Sequence, residues 1–334
     1  MNTRLPKRVL ICGLGSIGRR YCRLIHQFWP SIELSSLRSR SDHSKKKVGE
    51  EKYLTHCFEE INDAIAWNPN AAVIATPASF HIEQSILLAK AMIPLLIEKP
   101  VGTGLESSDL KEKLLFLSKS VPIYVGYVLR HDPCASMIRK QMLSEKLGCL
   151  MSADFYCGSW LPDWRPGQDY RDSVSALRCL GGGALLELSH ELDMASWCLG
   201  NLKPITAYLR NSGILEIDVE DQACLVFLDT RGCPISIRLE LCTNPSKRTI
   251  SLRFTNGELI WDLIQGVVYQ HEKENLSVFR VGINSDERFL RQLVSFWDLP
   301  QPGNTALCSL AEGLDILDLV VRIRKLAFDT GVAF

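Results

Sequence analysis

A chain of 334 residues is too long for one simple hydrophobic core and sets an expectation of about two domains. With 46% hydrophobic residues, 23% charged residues, and 38 basic side chains balanced by 38 acidic ones, it carries no electrostatic footprint for nucleic acid or an anionic membrane. Any anion must therefore be recognised locally.

Twelve cysteines are scattered with no C-x-x-C pair, which reads as reduced thiols in a cytoplasmic protein. The N-terminus "MNTRLPKRVLICG" has only a short apolar run before glycine, the signature of a strand rather than a signal segment. An apolar stretch of about 18 residues is absent, so no membrane span is expected. In chain order, "RVLIC" precedes a glycine turn, and Ile17, Tyr21, Leu24, Ile25 and Phe28 recur at helical spacing. "IELSSL" reads as the second strand, "KYLTH" as the third, and "AAVIATP" (71–77) as a buried parallel strand. Helix "SFHIEQSILLAKAM" leads to strand "PLLIEKP", and helix "SSDLKEKLLFLSKS" to "PIYVGYVLR". Strands alternating with helices predict a doubly wound parallel sheet over 1–128.

From 129 to 334 the pattern changes. A helix near 134–146 is followed by strand "LMSADFYCG", an irregular loop over 159–180 and a helix within "GGGALLELSHELDMASWCLG". Then come adjacent strand-like runs, "PITAYLRN", "DQACLVFLD", "PISIRLELC", "RTISLRFT" and "GELIWDL", and two closing helices near 285–299 and 307–329. Adjacent strands argue for an antiparallel sheet. The expected fold is an α/β Rossmann domain followed by an α+β domain with an open-faced, mainly antiparallel sheet.

"GLGSIG" places Gly13, Gly15 and Gly18 directly after a strand and at the start of a helix. Gly13 permits the tight turn, Gly15 admits a pyrophosphate close to the backbone, and Gly18 lets helix and strand pack. The free N–H groups near Ser16 and Ile17 then face the phosphates, which predicts a dinucleotide site. Twenty residues beyond Gly18, where an NAD-specific site places Asp or Glu, stands Arg38. A guanidinium cannot accept from ribose hydroxyls but suits a phosphate monoester, so Arg38, with Ser39 and Arg40, is expected to bind the 2′-phosphate of NADP. NAD stays open as a cofactor: the basic stretch can be a solvated loop running into Lys45, Lys46 and Lys47, or Asp42 can bind the ribose.

"ATPASFH" and "LIEKPVG" end consecutive parallel strands, the edge where open α/β sheets bind ligands, so Thr76, Pro77, His81, Glu98 and Lys99 are assigned to the cofactor side. A lysine in that crevice, partly desolvated, can exchange a proton with a hydroxyl. The motifs "GLGSIG", "ATPASFH", "EKP", "GYVLRHDP" (126–133) and "GGGALLELSHELD" (181–193), in that order, resemble the Gfo/Idh/MocA family of sugar and polyol oxidoreductases.

The resemblance implies that Lys99 is the catalytic lysine and that the helix after the glycine triplet brings an acid and a histidine to the substrate. It also implies a homodimer or homotetramer through the exposed face of the C-terminal sheet. The family pattern has an aspartate four positions before the histidine; here Glu187 stands three before His190, a spacing that keeps both on one face of a helix. His190 and Asp193 match more directly.

The loop "SWLPDWRPGQDYRDS" (159–173) carries the specificity expectation. Trp160 and Trp164 offer flat surfaces for sugar rings, Asp163, Asp169 and Tyr170 can meet hydroxyls, and Arg165 and Arg171, with Arg130 nearby in the motif set, suit a carboxylate or phosphate. Its composition looks like the branch of the family associated with bacterial surface-polysaccharide and acidic-sugar biosynthesis, so an anionic sugar or nucleotide sugar is expected. A non-catalytic dinucleotide sensor on the same fold is the alternative. No H-E-x-x-H occurs and the seven histidines are dispersed, so no metal site is expected.

Overall fold

The computed structural model describes residues 5–38, 51–298 and 306–329. The chain divides into two compact units, one of residues 1–128 and 285–314, the other of residues 129–284 and 315–334.

The first unit alternates strand and helix: β1 (Arg8–Cys12), α1 (Ser16–Phe28), β2 (Glu33–Leu37), β3 (Leu54–Phe58), α2 (Ile61–Ala66), β4 (Ala71–Ile74), α3 (His81–Lys90), β5 (Leu95–Ile97), α4 (Ser108–Leu117) and β6 (Ile123–Val125). In the second unit follow α5 (Pro133–Ser144), β7 (Leu150–Trp160), α6 (Ala184–Glu187), α7 (His190–Leu199), β8 (Lys203–Arg210), β9 (Gln222–Leu228), β10 (Pro234–Glu240), β11 (Cys242–Phe254), β12 (Gly257–Asp262), β13 (Val267–Glu272) and β14 (Asn275–Arg280). The chain closes with α8 (Ser285–Trp297), β15 (Cys308–Ser309) and α9 (Leu310–Asp329).

The first sheet runs β15-β6-β5-β4-β1-β2-β3. Strands β1 to β6 pair in parallel and β15 adds antiparallel to β6. Strand order reverses between β1 and β4, which sets a ligand crevice at the carboxyl ends of those two strands. Strand β4 is buried along its whole length, as expected for a sheet covered on both faces. The third strand lies two residues later than its sequence signal suggested, because Thr55 turns its hydroxyl onto the Leu34 carbonyl at a register shift.

Residues 285–314, expected in the second domain, belong to the first unit. Helix α8 lays Phe289, Leu293 and Phe296 into the same core as Tyr21, Leu24 and Ile25 of α1 and Val9, Ile11 and Val73 of the sheet. Each such fully buried side chain contributes about 1.5–3 kcal/mol. Ser309 and Glu312 start α9 with a reciprocal cap: Ser309 donates through its backbone N–H and its hydroxyl to the Glu312 carboxylate, both at 2.8 Å.

The second unit holds an eight-stranded sheet, β14-β13-β12-β11-β7-β10-β9-β8, antiparallel except for the β7–β10 pair. Strands β9 and β10 alternate buried and exposed residues, and α6 and α7 lie against β7, β9 and β10. The opposite face exposes Tyr208, Val226, Leu276 and Val278. Strands β13 and β14 are not among the sequence expectations; most of β14 is exposed. The single helix expected after the glycine triplet is two, α6 and α7. Among the described residues no helix is long and apolar enough to cross a membrane.

Candidate functional site

The glycine turn is shaped by the strands beside it. Gly13 donates to the Leu37 carbonyl at 2.8 Å and has φ of +90°; a Cβ there would sit 2.7 Å from the Ala75 carbonyl oxygen. A Cβ on Gly18 would strike the Gly13 carbonyl. Around Gly15 nothing lies within 4 Å of such a Cβ, so the mouth of the turn is open. No side chain caps α1 and its first turn carries no acid, which leaves the amides around Ser16 and Ile17 and the positive end of the helix for an anion. A narrow backbone turn, open space at its middle glycine and an uncapped 13-residue helix fit a dinucleotide pyrophosphate. Cys12, just before the turn, is fully buried and its thiol is pushed up to about 12, so it acts as packing.

Arg38 follows β2 directly and donates its backbone N–H to Phe58 at 3.0 Å, which sets it at the same sheet edge as Gly13. Ser39 and Arg40 lie outside the described residues.

Beyond the ends of β4 and β5, backbone bonds align the strand ends: Ala75 donates to Cys12, Glu98 to Ile74 and Gly126 to Ile97. The Thr76 hydroxyl donates to Gln84 at 2.9 Å, and Pro77 opens the turn into α3. His81 has both ring nitrogens against carbonyl oxygens, Nδ1 at 2.8 Å from Pro100 and Nε2 at 2.7 Å from Thr76. It is 1% exposed and burial lowers its proton affinity. His81 therefore ties two loops together.

Glu98 is engaged within the protein as well. Its Oε1 accepts from the Tyr21 hydroxyl at 2.6 Å and its Oε2 from the Lys99 N–H at 3.3 Å. Burial raises the Glu98 carboxyl, against the Tyr21 hydrogen bond and the Lys99 charge that lower it. Lys99 is half-buried and its peptide to Pro100 is cis. Beyond it, Glu106 accepts from Thr103 N–H at 2.6 Å and from Gly104 N–H at 2.8 Å, and Gly102 leaves the room that carboxylate occupies. Lys99 thus sits between two braced segments. Sequence reasoning missed Tyr21, Gln292, Gln84 and Glu106; of these only Tyr21 had a signal, as an apolar position of α1.

In the second unit, Arg130 and Asp193 were expected at the substrate. Instead Arg130 donates through Nε and Nη2 to both Asp193 oxygens at 2.7–3.1 Å, and the two are 1% and 0% exposed. They form an internal ion pair, with Trp197 below Arg130 at 5.6 Å and below Arg139 at 4.3 Å. Glu187 ends α6 and His190 begins α7, both half-buried. Between them Ser189 donates to Leu186 and Glu191 to Leu188, three residues back instead of four. This tightened turn breaks the helix, so the one-face argument for Glu187 and His190 loses its basis.

The glycine triplet is explained by packing: Gly183 has φ of +104° and abuts the buried Glu220 carboxyl, which accepts from Leu185 N–H at 3.1 Å. In the 159–180 loop, Trp164 donates to Ser159 at 2.9 Å and the Tyr170 hydroxyl accepts from Glu216 N–H. Arg171 grips Asp169 through Nε and Nη2 and reaches Glu216 at 3.2 Å, and this guanidinium holds the Asp169 carboxyl down at about 2. Arg171 is thereby committed within the protein, while Arg165 is half-buried.

Residues 7–124 match the family model described as "Oxidoreductase family, NAD-binding Rossmann fold" (Gfo/Idh/MocA). Among curated relatives, the rhizopine catabolism protein MocA of Rhizobium meliloti is 26% identical over 223 residues, 63% of this chain and 61% of that protein. The inositol 2-dehydrogenase of Corynebacterium glutamicum is 26% identical over 222 residues, with the same coverage. The matched region thus spans about three fifths of the length of these relatives. Among solved structures, a levoglucosan dehydrogenase in complex with NADH superposes with a TM-score of 0.79 at 17% identity, covering 96% of this chain and 97% of that one. The WlbA dehydrogenase of Bordetella pertussis in complex with NADH and UDP-GlcNAcA does so with a TM-score of 0.76 at 19% identity, covering 97% of each. Residues 7–124 are therefore similar to the NAD-binding Rossmann domain of the Gfo/Idh/MocA oxidoreductase family, and the chain carries the two-sheet fold of these solved proteins.

Proposed function

We propose that this chain is a nicotinamide-dependent oxidoreductase acting on a hydroxyl-bearing or keto carbon of a sugar or nucleotide sugar. The observation that carries the reading is one sheet edge holding both an open, uncapped glycine cradle and Lys99 at the end of β5, braced on either side. When bound, the dinucleotide supplies the hydride acceptor or donor. The chain's own part is to bind the pyrophosphate at α1 and to take or return the hydroxyl proton at Lys99 Nζ. His190 is assigned a hydrogen bond to a substrate hydroxyl, and Glu187 an auxiliary place beside it.

Arg38, with Ser39 and Arg40, favours NADP through its 2′-phosphate. The solved relatives above carry NADH, which keeps NAD as the second cofactor. For the substrate, Trp164 and Arg165 favour a ring bearing an acidic group, and the likeness to a protein holding UDP-GlcNAcA supports an acidic nucleotide sugar and a role in surface-polysaccharide biosynthesis.

The test is absorbance at the reduced-nicotinamide band with inositols, levoglucosan and UDP-linked sugar acids. The wild-type chain should turn over at least one, and Lys99→Met should lose about 10²–10⁴-fold in kcat while binding NADPH almost unchanged. Near-normal turnover by Lys99→Met would overturn the assignment.

A further inference from the structure

Three side chains from distant parts of the sequence meet behind Lys99. Gln292 of α8 donates through Nε2 to the Tyr21 oxygen at 2.8 Å, and Tyr21 of α1 donates to Glu98 Oε1 at 2.6 Å. The other Glu98 oxygen takes the Lys99 N–H at 3.3 Å. All three are buried, Tyr21 at 0%, Gln292 at 1% and Glu98 at 8% exposure. Gly126 makes the space: a Cβ there would lie 3.0 Å from Glu98 Oε1.

A carboxyl in an apolar interior is costly unless it is hydrogen-bonded, and a well-packed core has no need of one. The arrangement makes sense if the charge matters to its neighbour. Tyr21 O–H stabilises the ionised carboxylate, and the Gln292 amide, donating into the same phenol oxygen, polarises that O–H toward Glu98. The carboxyl so held is one residue from Lys99 and accepts its backbone N–H. The other charged group on this network is Arg20, adjacent on α1, which is itself 3.4 Å from Asp286 of α8. His81, whose Nδ1 faces the carbonyl of the next residue, Pro100, is tied to backbone carbonyls.

We infer that Tyr21 and Gln292 are positioning residues that act through Glu98 to hold the Lys99 backbone and so to fix where its amine sits. This rests on Lys99 being the proton-handling group proposed above. Tyr21→Phe is a clean probe, because the ring keeps its edge contact with Phe289, 5.2 Å between centroids, and loses only the hydroxyl.

The readout is the rate at which Lys99 is acetylated by dilute acetic anhydride at neutral pH, followed by peptide mass spectrometry with the remaining lysines as internal controls. Tyr21→Phe should label Lys99 roughly three- to tenfold faster, the size of effect expected from one ordinary hydrogen bond. Gln292→Met should move it the same way by less. In a Glu98→Gln background, where the carboxylate is gone, adding Tyr21→Phe should change the rate by less than about twofold. An unchanged Lys99 rate in both single variants, or an effect that persists in the Glu98→Gln background, would overturn the inference. Since labelling needs neither substrate nor cofactor, a failed sugar screen would count against the proposed reaction and leave this result standing. Should Tyr21→Phe not fold, Gln292→Met and its Glu98→Gln double variant carry the same comparison.

Discussion

A methyl group at Gly18 has nowhere to go but into the Gly13 carbonyl, whereas one at Gly15 enters open space. Gly18→Ala should therefore lower the melting temperature and abolish dinucleotide binding together. Gly15→Ala should leave melting within a few degrees and weaken dinucleotide affinity about tenfold or more, because the methyl occupies the place of the phosphates. Calorimetry beside a fluorescence titration separates the two. At Arg38 the fork of donors suits a phosphate monoester, and losing a charge-assisted contact costs about 1.5–3 kcal/mol. Arg38→Ala should thus weaken NADPH about 10–100-fold and NADH little; equal losses for both nucleotides would remove the NADP assignment. Arg130 is a different kind of residue. Its partner Asp193 is fully buried, so Arg130→Met leaves an uncompensated carboxylate and should cost about 3–5 kcal/mol in denaturant unfolding. An Arg130→Met chain as stable as wild type would mean that water reaches Asp193.

The segment from Gly181 to Leu199 shows how an element can be named correctly and its geometry misjudged. Apolar spacing and the glycine triplet mark a helix, yet Gly183 at φ of +104° and the three-residue hydrogen bonds at Ser189 and Glu191 divide it. What holds the first half is Glu220, from the connection between β8 and β9, whose backbone carbonyl also takes the Ala184 N–H. Burial raises the Glu220 carboxyl, opposed by the positive charges of Arg324 and Arg178 and by backbone hydrogen bonds. The sign follows: a carboxyl raised on folding favours the folded state below its unfolded value, and that contribution is lost as pH rises through the folded value. Glu220→Gln keeps the acceptor for Leu185 and removes the buried charge. The difference in melting temperature, variant minus wild type, should therefore grow from mildly acidic to neutral pH and shrink toward zero below the ordinary carboxylate range. A difference flat with pH would mean that folding does not shift the Glu220 carboxyl.

The outward face of the second sheet carries several exposed apolar side chains. Tyr208 and Val226 on β8 and β9, and Leu276 and Val278 on β14, give it apolar side chains at both ends. Scattered exposed apolar residues are ordinary, but several on one flat sheet favour association. Sedimentation should show the wild-type chain as a dimer or larger and Val226→Glu shifted toward monomer; a wild-type monomer would dismiss the face as an interface. The amino-acid pattern by itself determined most of the order of elements, the parallel and antiparallel halves, the glycine cradle and the lysine at a strand end, because these follow from local periodicity, backbone freedom and side-chain chemistry. It could not determine that α8 returns to the first unit, that Gln292 and Tyr21 support Glu98, or that Arg130 and Asp193 neutralise each other. Those depend on which groups lose water together, and residues more than sixty, and in one case 271, positions apart meet only once the chain has packed.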